Sequence, residues 1–239
     1  MKTSAVLKSL EKYAVFDLNV VRSIIKKDVP YTRLFLHRLK KVGHVFKIER
    51  NIYTVHRDAF LIASRIAWPS YISLWSAIRF HNLTEQIPHS VWVITTRKRR
   101  KKKIKFADAE ILFVLTKPKY FFGFKKIDFK GFEIFIAEPE KSIIDGLLFR
   151  KISVSEISSI LKSKSNLRSL SADRILSYAV KTKNKALIKR IGFLFDKLGL
   201  DYYNKLKRHV CFPYTALEYS LPAEGKRDEK WKIIENVKG

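Results

Sequence analysis

Cysteine is almost missing from this chain: Cys211 stands alone among 239 residues. That excludes an intramolecular disulfide and a zinc site built on several thiolates, and it fits a reducing compartment. Glycine is scarce as well, with eight residues and no glycine-rich phosphate loop among them, which excludes nucleotide hydrolysis by a P-loop. No Gly-X-Ser-X-Gly marks a serine nucleophile. The six histidines, His37, His44, His56, His81, His89 and His209, lack metal-ligand spacing, and His209 with Cys211 would need two further ligands to hold zinc. Neither a metal nor another cofactor is expected. No apolar run approaches the roughly 18 to 20 residues of a membrane span, and Lys2 and Lys8 bring charge too early for a signal peptide. These features predict a cytoplasmic protein with no membrane partner.

Acidic residues are the other shortage. Asp and Glu number 22 against 49 Lys and Arg, a formal charge of +27 at pH 7. Such an excess exceeds what solubility requires and costs self-repulsion in the compact state, so a polyanionic partner is expected. Nucleic acid is the first candidate; an anionic membrane surface, an acidic protein or a merely lysine-rich surface are the alternatives. Apolar residues make up 46% of the chain, enough to build a core.

Residues 1–62 carry the pattern of three short helices and a hairpin. Val6, Leu7, Leu10 and Tyr13 share one face of a first helix. Asp17 can cap a second helix bearing Leu18, Val21, Ile24 and Ile25, which Asp28-Val29-Pro30 then ends. A third helix is predicted from Tyr31 to about Val42, with Gly43 closing it in the left-handed conformation. Phe35, Leu36, Leu39 and Val42 fall on its apolar face, whereas Arg33, His37, Lys40 and Lys41 gather on a cationic one. Val45–Ile48 and Ile52–Val55 read as strands flanking a turn in which Asn51 takes positive φ. This is the order of a winged helix-turn-helix, whose third helix enters the major groove of double-stranded DNA. In that fold Arg33, His37 and Lys40 would read bases, while Thr32, Lys41, Lys47 and Arg50 would hold phosphates. The alternatives for such an element are a protein-binding module and a solvated charged face.

Residues 63–239 read as a second, mixed α/β domain with a helical C-terminal part, which makes the fold class α+β overall. Ser70 or Ser73 can cap a helix through Leu74, Trp75, Ala77 and Ile78. Strands are expected at 90–96 and 111–115, the latter covered on both faces, and a turn and strand at 129–136. Helical spacing recurs at 142–148, 154–161, 172–180 and 186–198, with Gly199 as a stop, and Pro213–Leu217 and Trp231–Ile234 can return as short strands.

Eight of the nine residues from Arg97 to Lys105 are cationic. A density like that of Arg97, Lys98, Arg99, Arg100, Lys101, Lys102 and Lys103 should be a solvated loop or hairpin tip. It is either surface charge alone or a second patch for a nucleic acid or another anionic partner, contributing affinity without sequence preference. An enzymatic reading has weaker support: Glu140 and Lys141 are adjacent where a restriction-type nuclease wants an acid and a lysine two apart on a strand. Asp128 and Lys130 have that separation, with Asp108 as a conceivable partner, so a magnesium-dependent nuclease is the alternative from another class, and an RNA-binding module is a third.

Two stretches, Pro69-Ser70-Tyr71-Ile72-Ser73-Leu74-Trp75-Ser76-Ala77-Ile78 and Ala137-Glu138-Pro139-Glu140-Lys141-Ser142-Ile143-Ile144-Asp145-Gly146, resemble the AbiEi family of antitoxins and autorepressors from abortive-infection toxin–antitoxin systems. Lys189–Gly199 is similar to that family's Arg-Leu-Gly-Phe-Leu helix, and Leu217 through Gly225 to Asn236 is similar to its C-terminal end. The family usually has Arg-Gly-X-Tyr at the hairpin, where this chain has Arg50-Asn51-Ile52-Tyr53. The resemblance implies a non-catalytic protein whose N-terminal winged helix represses its own operon at inverted repeats in upstream DNA. It also implies a C-terminal antitoxin domain that neutralises a nucleotidyltransferase-like toxin encoded beside it, without a stable toxin–antitoxin complex. By the same resemblance Tyr71, Ser73, Ser76, Ala77, Glu140, Lys141 and Asp145 mark the C-terminal domain, their role unassigned. Physical chemistry offers plain duties for three of them: Ser73 as a helix cap, Glu140 favouring a helix N-terminus, and Asp145 paired with a cation.

Overall fold

A computed structural model describes residues 2–163, 166 and 169–237. Among them are ten α-helices and three sheets, a mixed α+β architecture. The chain divides into two compact units, one of residues 1–72, 89–116 and 126–135, the other of 73–88, 117–125 and 136–239.

The first unit begins with α1 (Thr3–Leu10), α2 (Leu18–Ile25) and α3 (Val29–Lys41), followed by the antiparallel hairpin β1 (Phe46–Glu49) and β2 (Ile52–Thr54). Asp17 caps α2 as expected, accepting from the amides of Asn19 and Val20. Asp28-Val29-Pro30 does not end that helix. Lys26 does so in the left-handed conformation, and Asp28 instead caps α3 by accepting from the Tyr31 amide, so α3 starts two residues earlier than predicted. Pro30 is tolerated there because a helix's first turn has amides without intrahelical partners. Gly43 and Asn51 both take the positive φ expected of them, 76° and 59°. Val6, Leu10, Phe16, Val21, Leu36, Leu39 and Val45 form one buried cluster. Each fully buried aliphatic side chain of this kind is worth about 1.5–3 kcal/mol. Val42, expected on that face, is 64% exposed. The loop between α1 and α2 adds a single bridge to the hairpin, with Phe16 and Tyr53 exchanging two backbone hydrogen bonds of 2.8 Å.

The same unit holds all but the outer ends of β7 and β8 in a six-stranded sheet of order β5-β6-β4-β3-β8-β7. Its strands are β3 (Ser70–Ile72), β4 (Ser90–Thr95), β5 (Lys103–Phe106), β6 (Ala109–Leu115), β7 (Phe124–Phe129) and β8 (Phe132–Ala137). β4 and β6 run parallel, in register from Ser90 opposite Glu110 to Thr95 opposite Leu115, while β5 returns antiparallel along β6. Lys130 and Gly131, both at positive φ, turn β7 into β8. The helix α4 (Ala59–Ile66), capped by Asp58, packs on β3, β4 and β6. β6 is covered less fully than its apolar run suggested, for Leu115 is 55% exposed.

The second unit contains α5 (Leu74–Phe80), α6 (Pro139–Leu148), α7 (Val154–Lys162), α8 (Ala172–Lys181), α9 (Lys185–Lys197) and α10 (Tyr203–Leu206). A small sheet of β9 (Thr215–Ala216), β10 (Lys226–Asp228) and β11 (Ile233–Glu235) completes it. Its core lies where α5 and α8 pack on α6, and α9 in turn on α8. Two cations of α9 hold the C-terminal segment in place. Lys189 Nζ donates to the carbonyls of Cys211 and Pro213, and Arg190 donates to those of Ala216 and Leu217. Among the described residues no helix is long and apolar enough to cross a membrane.

Candidate nucleic-acid interface

The burial of α3 is one-sided, as its sequence period requires. Thr32, Leu36 and Leu39 face the core, and Arg33, His37, Lys40 and Lys41 are exposed. Two further residues that sequence reasoning passed over share that exposed face, Leu34 and Arg38; they lie one turn before His37 and Lys41, so the helical period counted back from those two finds them. Thr32 must be removed from the predicted phosphate contacts. Its side chain is buried and its hydroxyl donates to the Asp28 carbonyl at 2.6 Å, so it tightens the start of the helix and is not presented to a ligand. Lys47 and Arg50 are exposed on the hairpin, as a contact to an anion would require.

The basic run departs from a uniformly solvated loop at Arg99. This side chain turns inward, pairs with Glu49 of β1 at 2.5 Å, donates to the Ile66 carbonyl at 3.2 Å, and lies 4.2 Å over the Phe113 ring. Its side chain retains 14% exposure and that of Glu49 18%, so the pair works at reduced dielectric, where it outweighs an exposed ion pair. Arg97, Lys98, Arg100, Lys101 and Lys102 stay exposed, and Lys103 belongs to β5, where it pairs with Glu110 at 2.6 Å. The loop and the hairpin tip together line a cleft of about 460 Å³, bounded by Glu49, Arg50, Ile66, Ala67 and residues 97–101. This proximity is not legible from local pattern, because Glu49 and Arg99 lie 50 positions apart.

The positions singled out by family resemblance form no exposed site. Tyr71, Ser73, Ser76, Ala77, Glu140, Lys141 and Asp145 are all buried. In the second unit Ser73 stands at the start of α5 but makes no side-chain cap; its hydroxyl donates instead to Asp145 of α6 at 2.8 Å. The other Asp145 oxygen accepts from Lys141 one turn earlier in α6, which is the cation pairing expected of Asp145. Burial pushes the Lys141 ammonium below the ordinary lysine range, against the opposing pull of Asp145. The Phe122 ring lies 4.8 Å from the Lys141 ammonium and 4.3 Å from that of Lys181. Gly123, at φ 70°, lets the backbone approach so closely that a Cβ would come within 3.0 Å of the Lys141 stem. Glu140, in the first turn of α6, accepts from the Ser171 amide at 3.0 Å and so anchors the cap of α8. Among the described residues the buried polar cluster therefore joins α5, α6 and α8.

The nuclease constellation is not assembled. Asp108 lies in the turn between β5 and β6, at one edge of the six-stranded sheet, and Asp128 lies in β7 at the opposite edge. Lys130 is committed elsewhere, with its ammonium 2.5 Å from Asp58. No group of three or more metal-binding side chains occurs among the described residues. The chain matches no family model, and none of the curated proteins is similar to it.

Proposed function

We propose that this chain is a DNA-binding antitoxin and transcriptional autorepressor of a toxin–antitoxin operon, acting without a catalytic step. Residues 1–62 are the winged helix-turn-helix that reads double-stranded operator DNA upstream of the operon. Residues 63–239 are the antitoxin domain that neutralises a nucleotidyltransferase-like toxin, without needing a stable complex. The observation that carries the reading is the exposed cationic face of α3, whose opposite face is fixed in the small core while the hairpin follows directly in the chain. Helix, bridge, helix, helix, hairpin is the order of elements in a winged helix, and a net +27 supplies the long-range attraction that a phosphate backbone selects for.

In this reading Arg33, His37 and Lys40 face base edges, Arg38 and Lys41 face phosphates beside them, and Lys47 and Arg50 contact the backbone from the hairpin. Leu34 adds an apolar contact of the kind that suits a thymine methyl. A gel shift on DNA from immediately upstream of the chain's own reading frame tests operator binding. Co-expression with the neighbouring frame, scored by cell growth, tests neutralisation. A stable shift that competitor DNA of random sequence does not remove supports the repressor; equal binding to any duplex rejects it.

A further inference from the structure

We infer that the loop of residues 97–101 and the hairpin tip at Arg50 form one clamp for the sugar-phosphate backbone of duplex DNA. This deepens the reading above and rests on it. Three observations converge. First, the loop is placed by Arg99, which is tied to Glu49 in β1, to the Ile66 carbonyl and to the Phe113 ring. The neighbouring cations thus stand at a defined distance from the hairpin. Second, the cleft they border with Arg50 is lined by six cations and one acid, Glu49, which Arg99 already neutralises. Concentrating like charge around one opening costs self-repulsion that a bound polyanion relieves. Third, two other lysines of the run have a separate explanation. Lys103 and Lys105 point outward from β5, an edge strand, where charge prevents pairing with another chain, and Lys103 has Glu110 as a partner. Arg97, Lys98, Arg100 and Lys101 precede the strand and have no such duty there.

The anion is a duplex backbone because the second side of the cleft is the hairpin, the element that follows α3 directly. A duplex held by α3 and the hairpin would continue its phosphates toward the adjoining loop. Binding there adds affinity and salt dependence without sequence preference. Arg99 acts as a positioning residue, and the four exposed cations make the contacts.

The test is fluorescence anisotropy of the full chain against two labelled duplexes, one of upstream DNA and one of random sequence, titrated over about 50 to 200 mM salt. The quadruple variant R97Q/K98Q/R100Q/K101Q should bind both duplexes more weakly by the same factor. Its salt slope should fall in magnitude by about 2 to 4, so that it loses roughly 16- to 250-fold less affinity across that range than the parent. The preference for upstream DNA should be unchanged. Arg99→Gln, with all four contact cations present, should move the slope in the same direction, which a residue serving only stability would not do once circular dichroism shows the fold retained. An unchanged slope in a folded quadruple variant overturns the clamp even if Arg33→Ala still abolishes sequence preference. Loss confined to a structured RNA competitor overturns it too, assigning the loop to RNA. A parent chain with no preference between the duplexes sinks the repressor reading instead, and a slope change on random DNA would still uphold the clamp.

Discussion

The hydroxyl of Ser73 donates to the Asp145 carboxylate at 2.8 Å across 72 positions of sequence, and through it the start of α5 is bound to the Lys141–Asp145 pair of α6. All three side chains are without solvent exposure. The next residue, Leu74, is buried at φ 56°, a conformation that costs a non-glycine residue about 1–2 kcal/mol, so the contact fixes a strained turn. Removing one member of a buried ion pair strands the other. Asp145→Ala should therefore destabilise the protein by about 3–5 kcal/mol, and Ser73→Ala by about 1–3 kcal/mol. The double change Lys141→Met with Asp145→Leu should be far milder than Asp145→Ala alone, since no unpaired charge is left behind. Urea unfolding of the three variants checks the order; a double variant as weak as Asp145→Ala would show that the cluster does more than hold the helices.

A second packing relationship concerns Gly192 of α9. A Cβ there would come within 2.0 Å of the fully buried Trp231 ring, so the indole lies directly on the helix backbone. Alanine is the better helix former by about 1 kcal/mol, but here overpacking by a rigid ring dominates. Gly192→Ala is expected to lower stability by about 1–3 kcal/mol and to change the tryptophan fluorescence of the native state. A stabilised variant with unchanged emission would contradict this placement of Trp231.

Much of the fold was legible wherever one element carried its own signals. Asp17, Gly43, Asn51 and Gly199 sit at the caps and turns that their chemistry predicts, and the helices from α6 to α9 lie within three residues of their predicted bounds. The failures have physical reasons. α4 is buried nearly all round, so Ala59–Ile66 shows no polar stripe, and Asp58 was its only sequence signal. β3 has three residues, too few for a period, and its serine resembled a cap. The Lys-Ile-Lys-Phe alternation of β5 was readable but was absorbed into the basic run. Arg99 and Ser73 were misread because each is governed by a residue distant in sequence, Glu49 and Asp145, and local pattern carries no information about such partners.

Asp58 gives the cap of α4 a pH dependence. Burial alone would raise its pKa, but the Lys130 ammonium and the amides of Leu61 and Phe60 outweigh it and hold the carboxyl below the ordinary aspartate value of 3.8. A group with a depressed folded pKa contributes stability above its unfolded value and loses it as pH falls through the folded one. Asp58→Ala should thus cost about 1 kcal/mol at neutral pH, with the difference from the parent shrinking below pH 3.8. Denaturant midpoints for both chains, measured between neutral and strongly acidic pH, provide the check. A gap that widens in acid would mean that the carboxylate is not the stabilising form.

The two halves of the proposed interface should fail in different ways. An arginine on the exposed face of α3 that pairs with a guanine edge contributes to one base position, so Arg33→Ala should weaken upstream DNA by about 1–3 kcal/mol and relax the sequence requirement there. Arg50, at the hairpin tip, meets only backbone in this arrangement, and Arg50→Ala should weaken upstream and random duplexes equally while lowering the salt slope by about 1. Competition among duplexes carrying single base changes separates the two behaviours. If Arg33→Ala reduces all duplexes alike, α3 is not reading bases. If both variants bind as the parent does, the interface lies elsewhere on this basic surface.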